Sequence, residues 1–417
     1  MNSLSNLFQA GDSRILPGPL LVFAIFCIPT ALLVQTISNE KLSTGIKQIL
    51  SIPLLTIVFM TPIVFSCGNG VFDLAVSIAC FNLFLRLFEL YWISPLLYGK
   101  PAYAPLSYLY TEFWAPLCKF PKSPKKKGDT DQKLKPKIYI KNKKWYHIVG
   151  NMVYHALIWD VFGSWWSTFT PKEFLAMPTE RPIFFFGFLI FLGFIMNTMF
   201  NMIGYPMHLF HCLYYDHGSY SDEQWRPAMK NPLFFSSSLE EFWSDRWHQF
   251  LHTSCVAFGF RPARYITRQV FDKMNIKTTI PITMLIGVFA VFFMSGLMHE
   301  YIVYSSIGWS PYSRLFIGHQ LFFFSMHGVA VIFERILSAT ISKTNCISPA
   351  IRESFFVKQV LQRVWGITFM YIILCYFTSG FAYTGLWHDS PFMFSRPYVF
   401  EFFRSIPYGK AICGSLL

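Results

Sequence analysis

The sequence predicts an all-α protein that crosses a membrane several times, on three observations. Hydrophobic residues make up 53% of the 417-residue chain, and mean hydropathy is +0.38. Only 14% of the residues are charged, against roughly 25% in a typical soluble domain. Apolar runs of about twenty residues recur along the chain, the length at which a helix crosses the hydrocarbon core. A soluble core could not hide so much apolar surface, including 47 Phe, whereas a bilayer accepts it on the outside.

Taken in order, the runs are 17–37, 48–67, 70–94, 182–204, 281–304, 314–337 and 362–386. A weaker run at 148–168 carries Asp160 among aromatic and aliphatic residues. A ninth candidate, 391–414, is interrupted by Arg396, Arg404 and Pro407. The expectation is about eight transmembrane helices in a single membrane-embedded domain over 1–417. The residues before the first run are polar, with Arg14 the one basic residue, and the run is long enough to span, so it reads as a span and not as a secretory leader. The nine Cys are scattered without a CxxC pair and read as small buried hydrophobes, not as a disulfide frame or a zinc site.

The net charge of +13 is concentrated. Between Lys119 and Lys144 lie eleven Lys and two Asp, a net of +9, among Pro121, Pro124, Gly128 and Pro136. The stretch 119–146 reads as an irregular loop on the cytosolic side, where short basic loops collect. Anionic lipid headgroups suit it better than nucleic acid. With three runs before it, the chain starts on the lumenal side. Residues 205–280 (with Arg261, Arg264, Arg268, Lys273 and Lys277) and 338–361 then fall on the cytosolic side. The loops expected in the lumen, 169–181 and 305–313, hold few basic residues.

The most informative region is 230–335. Ser238 and Glu241 have the form of a capping box, so a helix is expected over 238–252. Along it Leu239, Phe242, Trp243, Trp247, Phe250 and Leu251 would share one face, with Glu241, Asp245, His248 and His252 opposite. Such a helix is too short and polar to span. It is expected to lie at the membrane interface and to offer carboxylates and imidazoles either to a polar cavity or to water. Next comes Ser295-Gly296-Leu297-Met298-His299-Glu300, late in an apolar run. Ionisable groups there are costly and point to function, although a lone buried imidazole also serves packing. Gly296 would let a neighbouring backbone come close, and Ser295, one turn from His299, would orient the imidazole. A third set, Gln320, His327 and Glu334, falls at seven-residue spacing and reads first as a polar seam between helices.

Three blocks resemble motifs of the wax-synthase-like branch of the membrane-bound O-acyltransferase (MBOAT) superfamily: Ser-Leu-x-x-Phe-Trp-x-x-Arg-Trp-His at 238–248, Ser-Gly-Leu-Met-His-Glu at 295–300, and His-Gly-Val-x-Val-x-x-Glu at 327–334. Their order fits as well. Asp245 stands where many relatives carry a basic residue, which bears on acceptor preference.

The resemblance implies acyl transfer from acyl-CoA to the hydroxyl of a lipophilic acceptor, most simply a long-chain alcohol, in the endoplasmic reticulum. An acetyltransferase acting on a terpenoid or other secondary metabolite is the alternative. His299 would be the general base and His248 the second catalytic residue. Trp243, Arg246, Trp247, Ser295 and Glu300 would contact acyl-CoA or acceptor. An alcohol needs a base within hydrogen-bond reach as it attacks a thioester, and an imidazole suits neutral pH. His248 or a nearby indole N–H would support the oxyanion. Arg246, Arg261, Arg264 and Arg268 lie where the phosphates of CoA would arrive. No metal or redox cofactor is required, and there is no glycine-rich phosphate loop or GxSxG elbow. Two other classes compete. His208-x-x-His211 and His248-x-x-x-His252 have the spacing of di-iron oxygenase ligands but no His-His pair accompanies them. A transporter would also carry polar residues in its spans, but no internal repeat is visible.

Overall fold

The computed structural model describes residues 14–120, 139–230, 236–275, 280–344, 354, 360–390 and 392–417. Most of the Lys-rich run, 121–138, lies outside them. The described chain is almost entirely helical: α1 (Pro19–Ser38), α2 (Thr44–Val64), α3 (Gly70–Tyr98), α4 (Leu106–Trp114), α5 (Trp145–Trp166), α6 (Pro171–Glu180), α7 (Pro182–Tyr214), α8 (Arg261–Lys273), α9 (Ile280–Ile307), α10 (His319–Thr344), α11 (Gln362–Thr384) and α12 (Arg396–Ser405). Among the described residues the one sheet is the antiparallel pairing of Lys143–Lys144 with Ser219–Tyr220.

Local chemistry sets the helix starts. Ser43 accepts from the N–H of Ile46 at α2, and the Asn69 side chain accepts from Val71 and Phe72 at α3. Thr170 and Glu173 form a complete capping box at α6.

Among the described residues seven helices are long and apolar enough to cross a membrane: α1, α2, α3, α7, α9, α10 and α11. The protein is thus an all-α polytopic membrane protein, as the composition implied. The weaker expected span, 148–168, forms a 22-residue helix, α5, but its Trp, Tyr and His content keeps it out of the apolar seven, so the described residues give seven candidate spans where about eight were expected. Its outer face still carries Val153, Tyr154, Leu157 and Val161. The ninth candidate is corrected. At 391–414 the chain forms the ten-residue α12 and one further turn, Gly409–Ile412. Ten residues rise about 15 Å, half the hydrocarbon core. Large apolar side chains stand fully outward on the spans, Leu20 at 88% and Ile183 at 87% exposure, which suits lipid and not water.

One apolar core joins α1, α2 and α3 around Leu33, Val58, Cys80 and Tyr91. A larger one joins α6, α7, α9, α10 and α11 around Phe185, Leu239, Phe324 and Leu374. Helices α9 and α10 touch backbone to backbone. A Cβ on Gly296 would lie 2.9 Å from Leu321 Cα, and one on Gly328 would lie 3.1 Å from Phe292 Cβ. The close approach expected at Gly296 is present, and it sets the depth at which the two helices present their histidines.

Candidate active site

His299 is carried by α9, two turns from its end. Its Nδ1 lies 2.8 Å from the carbonyl oxygen of Ser295. A carbonyl only accepts, so Nδ1 carries the proton and Nε2 keeps its lone pair. The expected partnership with Ser295 therefore exists, but through the main chain and not the hydroxyl. The imidazole is stacked on Phe324 (ring centroids 4.3 Å apart) and flanked by Phe377 at 5.6 Å.

The helix expected over 238–252 is not continuous. A short α turn (Leu239–Glu241) passes into a π turn (Phe242–Arg246). Trp247 is extended at φ −65°, ψ 155°, and helix resumes at His252–Cys255. The capping box is half formed: Ser238 Oγ accepts from Glu241 N at 3.0 Å, but the Glu241 carboxylate accepts instead from Ser237 N and Oγ and from Arg246. The break divides the expected polar stripe. Asp245 turns outward to an exposed ion pair with Lys230 at 2.6 Å, while His248 turns inward, 7% exposed, with its ring stacked 4.0 Å from that of Phe200. From behind, Glu334 of α10 accepts from the N–H groups of Leu239 and Glu240 at 3.2 Å and from the Trp365 indole at 3.0 Å. A carboxylate at a helical N-terminus meets free N–H groups and the positive end of the dipole.

His248 and His299 line one cavity of about 100 Å³, with Trp166, Phe200, Trp247 and Thr378 in its walls. A smaller cavity of about 40 Å³, lined by Trp243, Trp247 and Phe323, adjoins it through Trp247 and Phe377. Burial pushes the His248 imidazole down to about 3, and neighbouring His299 acts in the same direction. His248 is thus neutral at physiological pH and carries one N–H. Its Nδ1 and the indole N–H of Trp243 are buried with no partner among the described residues. The arrangement offers a lone pair on His299 and a second, neutral imidazole on His248 around one small, mostly apolar space, the parts that proton abstraction and oxyanion stabilisation require.

The other residues singled out from the sequence are placed elsewhere. Arg246 pairs with Glu241 at 2.7 Å and does not line the cavity. Glu300 also lies off the cavity, accepting from Tyr312 OH at 2.7 Å and Leu321 N at 2.9 Å, where it ties the start of α10 to α9. Gln320 and His327 are buried and Glu334 is half-buried, each bonded to main chain: Gln320 to the carbonyls of Tyr376 and Phe377, His327 to that of Phe323 in its own helix, and Glu334 to the N–H groups named above, so they do not join into one seam. His208 stacks on Trp225 at 3.8 Å, and His211 bonds Tyr110 and Asp216. Among the described residues no three His, Cys, Asp or Glu side chains converge as a metal-binding set.

Sequence reasoning did not mark Trp166, Phe200, Phe324 or Thr378. They come from aromatic spans that carry no local motif. An apolar groove of about 1040 Å³ between α5, α7 and α12 was also unforeseen. It shares Phe188 with the histidine cavity and ends at Glu180 and Arg181.

Residues 225–325 match the family model described as membrane bound O-acyl transferase family. Two proteins of Arabidopsis thaliana are similar over about a quarter of the chain. "Probable long-chain-alcohol O-fatty-acyltransferase 7" is 31% identical over 101 residues, 24% of this chain and 26% of the relative. "Probable long-chain-alcohol O-fatty-acyltransferase 3" is 30% identical over 104 residues, 25% and 27% respectively. The match thus spans about a quarter of the length of each relative. The motif-bearing segment, broken helix and α9 histidine included, is similar to that family's model and to these two relatives.

Proposed function

We propose that the protein transfers an acyl group from acyl-CoA to the hydroxyl of a lipophilic acceptor, with His299 as general base. The observation that carries this reading is the cavity that His299 shares with His248. The Nδ1 bond to the Ser295 carbonyl leaves the Nε2 lone pair free to face it. In the proposed step Nε2 accepts the hydroxyl proton as the oxygen attacks the thioester carbon. The oxyanion takes a hydrogen bond from His248. Collapse of the tetrahedral adduct expels the thiolate, which recovers a proton from the imidazolium. The aromatic walls keep water from competing for the thioester. Acyl-CoA reaches the site from the cytosolic side past Arg261, Arg264 and Arg268, with the endoplasmic reticulum as the membrane.

The cavity's size supports a division of labour. At about 100 Å³ it is smaller than the ~150 Å³ engineered cavity that binds one benzene. It suits reacting groups, while hydrocarbon chains extend into the groove beside Phe188. The same size favours, as a second reading, a short acyl group such as acetyl on a bulkier acceptor.

The test is product analysis by mass spectrometry after incubating purified protein with a panel of acyl-CoAs and alcohols. Ester formed by wild type and absent with His299→Ala supports the proposal. Acyl-CoA left unconsumed across the panel overturns it.

A further inference from the structure

Next to the histidine cavity lies a second, polar pocket of about 380 Å³, at the end of the bundle where α3 begins and α11 ends. Arg14, Ser66, Asn69, Asp73, Ser306 and Asp389 supply its polar lining. Leu74, Phe381 and Leu386 belong to the walls of both spaces. The acyl-transfer chemistry described above uses none of the polar groups.

Arg14 is the feature that asks for a ligand. Its Nη2 pairs with Asp73 Oδ2 at 2.9 Å, and its side chain is 10% exposed. Its Nε and Nη1 are buried with no partner among the described residues. Leaving donors of a charged group unsatisfied is costly, so a buried guanidinium ordinarily spends all of its N–H groups. Asp73 is already committed, accepting from Ser66 Oγ and Cys67 N at 2.6 Å each. Asp389 has one oxygen on Gly70 N at 2.9 Å.

Charge decides what would fit. One guanidinium and two carboxylates give the lining a net charge of −1. An anionic headgroup would meet the Arg14 donors but face both carboxylates. An ammonium would face the unspent guanidinium. A neutral hydroxyl accepts from Arg14 and donates to Asp389. Ser306 stands seven residues beyond His299 on α9, a rise of about 10 Å, so the two polar stations are that far apart along the helix.

We propose that this pocket is an acceptor subsite for a second hydroxyl, which makes the preferred acceptor a lipophilic diol or polyol and not a simple monohydric alcohol. The proposal rests on the acyltransferase reading above. One hydroxyl sits at His299 Nε2 and is acylated. The other sits between Arg14 and Asp389, and the intervening hydrocarbon passes Leu74, Phe381 and Leu386.

The experiment compares kcat/KM, per reactive hydroxyl, for a 1-alkanol and the α,ω-diol of equal chain length, using the full chain purified in detergent with one acyl-CoA. The diol is expected to be preferred by about tenfold, the upper range for one added hydrogen-bonded group. Arg14→Gln should bring the ratio close to one. Because that change also unpairs Asp73, Ser306→Leu is the second variant: it fills the pocket while leaving the ion pair intact, and should have the same effect on the ratio. Equal use of the two alcohols by wild type, or a diol preference that survives Ser306→Leu, overturns the subsite. Saturation-transfer NMR of the same two alcohols, without acyl donor, separates the two proposals. If no ester forms with either alcohol but the diol binds wild type more tightly than Ser306→Leu, the subsite stands and the acyltransferase reading falls. Equal binding of the diol by both proteins overturns the subsite.

Discussion

Helices α9 and α10 each bury a histidine in the same local manner, and comparing them separates what is generic from what is particular. His299 Nδ1 bonds the Ser295 carbonyl at 2.8 Å, and His327 Nδ1 bonds the Phe323 carbonyl at 2.9 Å. Both rings are held by aromatic neighbours, Phe324 in the first case and Trp243, Phe323 and Phe369 in the second. They are 7% and 0% exposed. The difference lies in front of Nε2. His299 opens onto the cavity it shares with His248, whereas His327 Nε2 is sealed without a partner among the described residues. Burial and a fixed tautomer follow from placing an imidazole in any apolar span. Room for a reacting group does not.

If this contrast governs function, the largest effect belongs to His299→Ala. Single-turnover acyl transfer should fall about 10²–10⁴-fold, with the purified protein still monodisperse and still binding acyl-CoA. A residual rate above about a tenth of wild type, against that expected loss, would remove His299 as the base.

His248→Ala should come next, with a loss of about 10²–10³-fold, the range for deleting one oxyanion donor. His248 also makes the comparison sensitive to pH. Burial holds its imidazole neutral, down to about 3 from an ordinary 6.5, so the unfolded chain binds a proton that the fold refuses. The stability this confers is complete above pH 6.5 and is lost as pH falls from 6.5 toward 3. Thermal melts at pH 7 and pH 5 should show that loss in wild type, and a smaller loss in His248→Phe. Identical pH responses of the two proteins would mean that the ring is charged in the fold.

His327→Leu is the sharpest control, because it removes an equally buried imidazole with the same bond. Turnover should stay within about tenfold of wild type while Tm falls by about 2 °C. A collapse of turnover at unchanged Tm would erase the distinction between the two helices.

The smallest effect is expected for Glu300→Gln, despite its place beside His299. The amide oxygen can still accept from Leu321 N and the amide group can still meet Tyr312 OH, so rate changes should remain within about threefold, as for a conservative change away from the reacting atoms. A loss as large as that of His299→Ala would bring Glu300 into the chemistry.

The spans were legible in the sequence because bilayer thickness and backbone hydrogen bonding leave few alternatives: a long apolar run must be a helix of near-spanning length. The histidine of α9 was legible for the complementary reason, since an ionisable group in such a run stands out. The break at Trp247 was not. No Pro or Gly lies between Leu239 and Leu251, and the 3.6-residue pattern describes a smooth amphipathic helix. The forces that break it are tertiary: Glu334 anchoring the first turn, Phe200 receiving His248, and the ion pairs of Arg246 and Asp245. The pairing of Ser295 with His299 was legible from their spacing, but periodicity does not say which oxygen of Ser295 makes the bond, and it is the carbonyl. The cavity walls come from spans where Phe and Trp are so frequent that none stands out.

The clasp between Glu334 and the N–H groups of Leu239 and Glu240 also has a consequence for biogenesis. The bonded residues are 95 and 94 positions apart, so the segment that carries His248 leaves the ribosome well before its anchor exists. At about 5–20 residues per second, that interval lasts about 5–19 s. Throughout it, α9 can insert into the membrane while the broken helix has no carboxylate to hold its first turn. The clasp that holds the His248 segment can therefore form only after α10 has been made, and the nascent chain acquires the geometry of the candidate site late.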